Sequence, residues 1–347
     1  MRLFGPLALA ALAVLPAPGR ASETLDFEPC HLQDLSTWAL CGSLEVPEDH
    51  LQPSGPSLRL RVAVLPAVEQ PAQPDPIFLL AGGPGQSAIG LAASVEGALG
   101  PANRTRDVVL VDQRGAGGSS PLVCDSLDFL ALAFDPGAKR RAVSECLEGL
   151  EVDPTLFGTV DFIRDLELVR QALGAERVHL YGGSYGTRAA QVYLREFPQS
   201  VASATLDAVA SMEMRVGLHM GRDAEPALRD LFRRCAARPR CAERFPDLEA
   251  RFEALLEDLE RSPRDLELPE TRSGRPETLR MDHRVFALGI RGLLYSPATL
   301  RLVPLLIDQA ERGEWAGFHG VSALLAGSIA ETMNQTLLLA VLCTEDL

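Results

Sequence analysis

Three short apolar runs in the first half of the chain each end in glycines: "PIFLLAGGPG" (76–85), "RDVVLVDQRGAGGSS" (106–120) and "RVHLYGGSYGT" (177–187). Runs this short and this apolar, bounded by turn residues, read as strands buried on both faces rather than as helices. Between and after them, "VDFIRDLELVRQAL" (160–173) and "YGTRAAQVYLREF" (185–197) space their apolar residues at the helical period, and "VASATLDAV" (201–209) returns to a strand. Buried strands alternating with helices leave few arrangements open. They predict an α/β chain built on a mostly parallel sheet. Ahead of them, "GSLEVPED" (42–49) and "SLRLRVAVLPA" (57–67) predict an antiparallel strand pair.

Beyond about residue 211 the strand signal stops. "FPDLEARFEALLEDLERS" (245–262) puts Phe245, Leu248, Phe252, Leu255, Leu256 and Leu259 on one helical face, and residues 223–236, 283–294 and 298–311 also read as helices. These stripes predict an all-helical cap over residues 212–340 on a core spanning 22–211, with 341–347 turning back toward the core. The apolar stretch from Val321 to Cys343 carries Glu331, Asn334 and Gln335 and reads as a buried helix of that cap or core, not as a membrane span.

In α/β sheets, sites form outside the carboxyl ends of the strands, where the three glycine loops fall. The third loop matches G-x-S-x-G between a strand and a helix. That context places Ser184 on a sharp turn as a candidate nucleophile, with the Tyr185 N–H as one oxyanion donor. The first loop supplies Gly82 and Gly83, whose bare backbone N–H groups can approach a developing oxyanion as the other donors. In the middle loop, Asp112 and Arg114 are expected to shape the site floor as a buried ion pair. A nucleotide site is excluded, since neither G-x-x-x-x-G-K-[ST] nor a G-x-G-x-x-G after the first strand of a βαβ unit occurs. No metal or other cofactor is expected.

The first residues, "MRLFGPLALAALAVLPAPGRASE", combine Arg2, an apolar run and small residues at Gly19 and Ala21, the pattern of a cleaved secretory leader over residues 1–21. Export to a secreted or periplasmic location agrees with seven cysteines. Sequence neighbours can pair as Cys30–Cys41, Cys124–Cys146 and Cys235–Cys241, leaving Cys343 over, and no spacing is zinc-like. Acidic residues outnumber basic ones, 47 to 33, with Lys139 the lone lysine, so nucleic acid is not an expected partner, nor is a membrane once the leader is removed. The near-total use of arginine suggests a GC-rich bacterial genome.

"AGGPG", "DQRGAGGSS" and "GGSYGT", in this order and spacing, resemble the α/β-hydrolase peptidases of the proline iminopeptidase and tripeptidyl aminopeptidase group. "CHLQDLSTWALCGSLEVPEDH" and "AVLCTEDL" resemble its secreted branch, and the likeness extends over roughly residues 28–347. Ala81 departs from the histidine with which the first loop usually begins in proline iminopeptidases. The resemblance implies a serine exopeptidase acting at a free peptide N-terminus through an acyl-enzyme on Ser184. It also implies a carboxylate, Glu345 or Asp346, that holds the substrate's amine. In such a fold the triad runs serine, acid, histidine along the chain. His31 and His50 precede the core, His179 sits on the strand before Ser184 as a satisfied core histidine, and His219, His283 and His319 lie in the cap. Asp207 could serve as an acid but reads as structural. The expectation is therefore a hydrolase truncated at its C-terminus, its last strands, histidine and acid absent, at about 30 residues per strand–helix unit. The substrate would be a peptide or a small acyl compound. A serine esterase on the same scaffold and a non-catalytic binding protein are the alternatives.

Overall fold

The computed structural model describes residues 25–124, 136–270 and 273–346. The expected leader, residues 1–21, lies outside them. Strands β1 (Glu28–Cys30), β2 (Ala39–Pro47) and β3 (Ser57–Leu65) make an antiparallel meander. Then follow β4 (Ile77–Leu80), helix α1 (Ala92–Asn103), β5 (Val108–Val111), α2 (Pro136–Gly149), α3 (Thr159–Ala172), β6 (Val178–Gly183), α4 (Tyr185–Glu196) and β7 (Val201–Asp207). The sheet order is β1-β2-β3-β5-β4-β6-β7. Pairs β5–β4, β4–β6 and β6–β7 are parallel, and all strands but β1 and β3 run one way. The chain thus has the α/β-hydrolase fold, with a mostly parallel sheet and β7 at its edge.

The pleat explains why the central strands read as unbroken apolar runs. Phe78 and Leu80 of β4 join Val109 and Val111 in a core shared with Phe162, Ile163 and Leu166 of α3 and Ala189 and Val192 of α4. Ile77 and Leu79, one residue out of phase, join Leu110 and the α1 residues Ala92 and Val95 on the opposite face. Both faces are covered, so no polar alternation remains.

Residues 216–332 form a second packed body. Its elements are α5 (Val216–Ala236), α6 (Pro239–Arg244), α7 (Leu248–Arg261), β8 (Arg264–Pro269), β9 (Pro276–Met281), α8 (His283–Leu293), α9 (Pro297–Leu300), α10 (Val303–Glu311) and α11 (Ala316–Thr332). Phe252, Phe286, Trp315 and Phe318 form its aromatic centre, with the Phe286 and Phe318 rings 4.9 Å apart. The expectation of an all-helical cap fails at the β8–β9 hairpin, which pairs Leu266 with Leu279 and Arg264 with Met281. Its apolar alternation is short, interrupted by charges and bounded by Pro269 and Pro276, so it carries little strand signal.

The side chain of Asn334 accepts the Leu337 N–H at 2.8 Å and caps helix α12 (Gln335–Glu345). That helix packs Leu337 and Val341 into the core of the sheet. The return to the core therefore begins at Asn334, ahead of residue 341. Disulfides Cys30–Cys41, Cys124–Cys146 and Cys235–Cys241 are formed, and Cys343 is a free, exposed thiol. No helix among the described residues is long and apolar enough to cross a membrane.

Candidate active site

Ser184 occupies the single residue between β6 and α4, at φ 54° and ψ −119°, and its side chain is exposed. A non-glycine residue at positive φ is held there only by its surroundings. Here the surroundings demand glycine on both sides. A Cβ on Gly182 would lie 2.4 Å from the Gly186 carbonyl oxygen, and one on Gly186 would lie 1.9 Å from the Leu80 carbonyl oxygen. Helix α4 can cross over β4 and β6 this closely only because those two Cβ atoms are absent. The Ser184 N–H donates to the Asp207 carbonyl at 2.9 Å, tying the turn to the end of β7.

Gly82 stands against the same serine. A Cβ there would be 3.4 Å from Ser184 Cβ. Gly83 has φ +106°, which a side chain would strain. The loop is braced from behind, where Gln86 bridges Met333 and the Asn334 N–H donates to the Gly85 carbonyl at 2.8 Å. The Tyr185 N–H lies in the first turn of α4, where N–H groups have no intrahelical acceptor. Gly82 thus adjoins the serine across the loop, and Tyr185 follows it directly in the chain. A cavity of about 320 Å³ opens beside Ser184, lined by the apolar Leu91, Val95, Ala98 and Leu99 and by Tyr181 and Asp207. The Tyr181 hydroxyl donates to Asp207 Oδ2 at 2.8 Å. That hydrogen bond to Asp207, with burial and the carboxylate's charge adding to it, raises the phenol's pKa above the ordinary tyrosine value.

Asp112 and Arg114 do not pair with each other. Asp112 accepts from Ser87 Oγ at 2.7 Å, from the Ile89 N–H at 3.0 Å and from the Gly118 N–H at 2.9 Å, joining the first two glycine loops. Arg114 is fully buried and donates to Asp165 of α3 at 2.6 and 2.7 Å, with His50 Nε2 2.9 Å from both partners. Positions two apart in a loop need not pair with each other, and the carboxylate that reaches Arg114 comes from a helix 51 residues later.

Glu345, expected to hold a substrate amine, lies at the start of α3. Its oxygens accept the Thr159 N–H at 2.6 Å and Thr159 Oγ1 at 2.8 Å, and Thr159 Oγ1 is 2.6 Å from the Tyr185 hydroxyl. Burial pushes the Tyr185 phenol well up, with the Glu345 charge adding to it. Glu345 is thus an N-terminal acceptor for α3 supplied by another helix, and it does not line the cavity. Asp346 is buried and pairs with Arg188 Nη1 at 2.8 Å, while its other oxygen accepts the Val216 N–H at 2.7 Å. Arg188 also donates to the Met214 carbonyl.

No histidine lines the cavity. Among the described residues, none hydrogen-bonds to Ser184 Oγ. His179 is satisfied by Asp75 at 2.9 Å and Ser203 at 2.7 Å, and His319 faces the Pro269 carbonyl at 3.2 Å. Sequence reasoning missed Asp165 as the partner of Arg114 and the Arg188–Asp346 pair. The only signal was a charged residue on the inward stripe of an otherwise apolar helix.

A family model described as alpha/beta hydrolase fold matches residues 75–243. The chain is similar to the serine protease Hip1 of Mycobacterium tuberculosis, 31% identical over 215 residues that cover 55% of this chain and 40% of that protein. It is similar to the tripeptidyl aminopeptidase of Streptomyces lividans, 30% identical over 223 residues covering 57% and 41%. It is also similar to carboxylesterase B of Mycobacterium tuberculosis, 29% identical over 304 residues covering 80% and 56%. The chain spans about two-fifths of the length of the first two of these relatives.

Proposed function

This chain carries the α/β-hydrolase fold, and from that premise we propose that it is a serine hydrolase acting through an acyl-enzyme on Ser184, with free peptide N-termini as its substrates. The observation that carries the reading is Ser184 itself, exposed at positive φ between β6 and α4 and faced by Gly82 of the first loop. Serine attacks the carbonyl, the developing oxyanion rests on the N–H groups of Gly82, Gly83 and Tyr185, and the leaving group departs with the serine proton. A serine hydroxyl is a weak nucleophile without an adjacent base. Among the described residues no histidine lines the cavity beside Ser184.

The likeness to tripeptidyl aminopeptidase supports a peptidase. The likeness to carboxylesterase B, over more of the chain, favours an esterase as the second reading. A serine-directed fluorophosphonate separates a hydrolase from a binding protein. It labels Ser184 and not Ser184→Ala, and its absence from Ser184 would refute the hydrolase reading. Turnover of aminoacyl-arylamides against short acyl esters then decides between peptidase and esterase. The disulfides support an oxidising, exported location. N-terminal sequencing should find a mature chain beginning near Ser22.

A further inference from the structure

A free peptide amine is a cation, and a site that selects it needs a carboxylate whose charge is not already spent on another partner. Of the carboxylates around the nucleophile, Asp112 is consumed by the glycine loops, Glu345 by Thr159 and Asp346 by Arg188 and the Val216 N–H. Asp207 differs from all three. It ends β7, is exposed, and lines the cavity that Ser184 lines. Its Oδ2 is held by the Tyr181 hydroxyl at 2.8 Å. Among the described residues no arginine, lysine or histidine pairs with it. The result is a carboxylate fixed by a neutral donor, with one oxygen open and no counter-charge.

Register fixes its distance from the chemistry. Asp207 is paired with Gly183, the residue before Ser184, so its backbone lies one strand, about 4.8 Å, to the side. In a peptide the N-terminal nitrogen is two bonds from the first carbonyl carbon. An ammonium seated on Asp207 therefore leaves that first carbonyl, and not a later one, within reach of Ser184. A tripeptide would carry its amine about 7 Å further away. The same cavity is lined by the apolar side chains of Leu91, Val95, Ala98 and Leu99, which suit an apolar first residue.

The geometry points to Asp207 as the anchor of the substrate's α-ammonium, selecting peptides from which a single apolar residue is removed. The assignment rests on Ser184 being the nucleophile. It moves the amine site from the cap-to-core helix end to the edge strand of the sheet.

Activated esters test it on this chain, because a nitrophenolate leaves without much help from a base. L-leucine 4-nitrophenyl ester, N-acetyl-L-leucine 4-nitrophenyl ester and glycyl-glycyl-L-leucine 4-nitrophenyl ester are compared by intact-mass spectrometry. In each case the Ser184 Oγ–carbonyl bond forms, the carbonyl–nitrophenolate bond breaks, and the serine proton passes to solvent. The free leucine ester should acylate Ser184 faster than either of the others by roughly ten- to a hundredfold, the worth of one charge-assisted hydrogen bond. Asp207→Asn should collapse that ratio to near one by raising the half-saturating concentration of the leucine ester, and Asp207→Glu should restore part of it. A ratio that survives in Asp207→Asn while all three rates fall together would make Asp207 a triad-type acid or a structural residue, and would overturn the assignment. So would a tripeptide ester that reacts fastest. If no ester acylates wild-type protein above the level of Ser184→Ala, the nucleophile reading fails and this assignment falls with it. A thermal melt of Asp207→Asn, compared with that of Ser184→Ala, separates lost recognition from lost folding.

Discussion

Gly186 shows how much of the site one missing Cβ decides. Its neighbour on β4 approaches so closely that an alanine methyl would lie 1.9 Å from the Leu80 carbonyl oxygen. Gly186→Ala should therefore push α4 off the sheet. The cost should be at least ~1–3 kcal/mol of stability, typical of overpacking, and Ser184 should lose its positive-φ turn. Urea unfolding measures the first effect and fluorophosphonate labelling the second, and a variant unchanged in both would show that the turn does not need the close approach. This residue was legible in the sequence because G-x-S-x-G encodes a steric requirement between near neighbours. Glu345 was not. A carboxylate at a helix end looks the same in sequence whether it faces a cavity or caps another helix, and its donor Thr159 lies 186 residues away. The pairing of Arg114 was illegible for the same reason.

At the scale of elements, α3 and α4 illustrate both the strength of the apolar pattern and what it hides. The helical spacing located α3 and α4 to within a residue or two, because each buries one stripe against the sheet. It did not reveal that the two helices are also joined by a polar contact at their far ends. There Glu167 accepts from Tyr193 Oη at 2.9 Å and from Arg170 Nη2 at 2.5 Å. Burial alone would raise the Glu167 carboxyl, but hydrogen bonds from Arg170, Gln171 and Tyr193 outweigh it and hold its pKa below the ordinary glutamate value. A lowered folded-state pKa means that the contribution is complete above the unfolded value, about 4.3, and is lost as pH falls through the folded one. Glu167→Gln should therefore flatten the acid side of the curve of urea midpoint against pH. A variant curve parallel to wild type down to the acid limit would sink the link. The β8–β9 hairpin stayed hidden because two three-position alternations flanked by prolines and charges carry almost no periodic signal.

Across the whole molecule, one guanidinium on the nucleophile helix touches both ends of the cap. Arg188 donates to the Met214 carbonyl where the chain leaves the core and pairs with Asp346 where it comes back, and Asp346 accepts the Val216 N–H. Asp346→Ala would leave the buried Arg188 with only the more distant Glu345 carboxylate, 3.7 Å away, a loss of up to about 3–5 kcal/mol. Hydrogen exchange should rise first around Val216, and equal protection there in variant and wild type would show that the cap is held elsewhere. The sheet and the helical body were readable because each follows a local period, whereas this joint spans 158 residues and follows none. The three disulfides are the opposite case, with separations of 11, 22 and 6 residues. For a chain threaded into an oxidising space from its amino end, each bridge can close while later residues are still being made. Glu345 and Asp346 arrive last of the described residues, and the helices they secure belong to segments made long before. In such a chain the three short bridges would close in transit, whereas the nucleophile helix would be fastened only once a segment 158 residues further along had emerged.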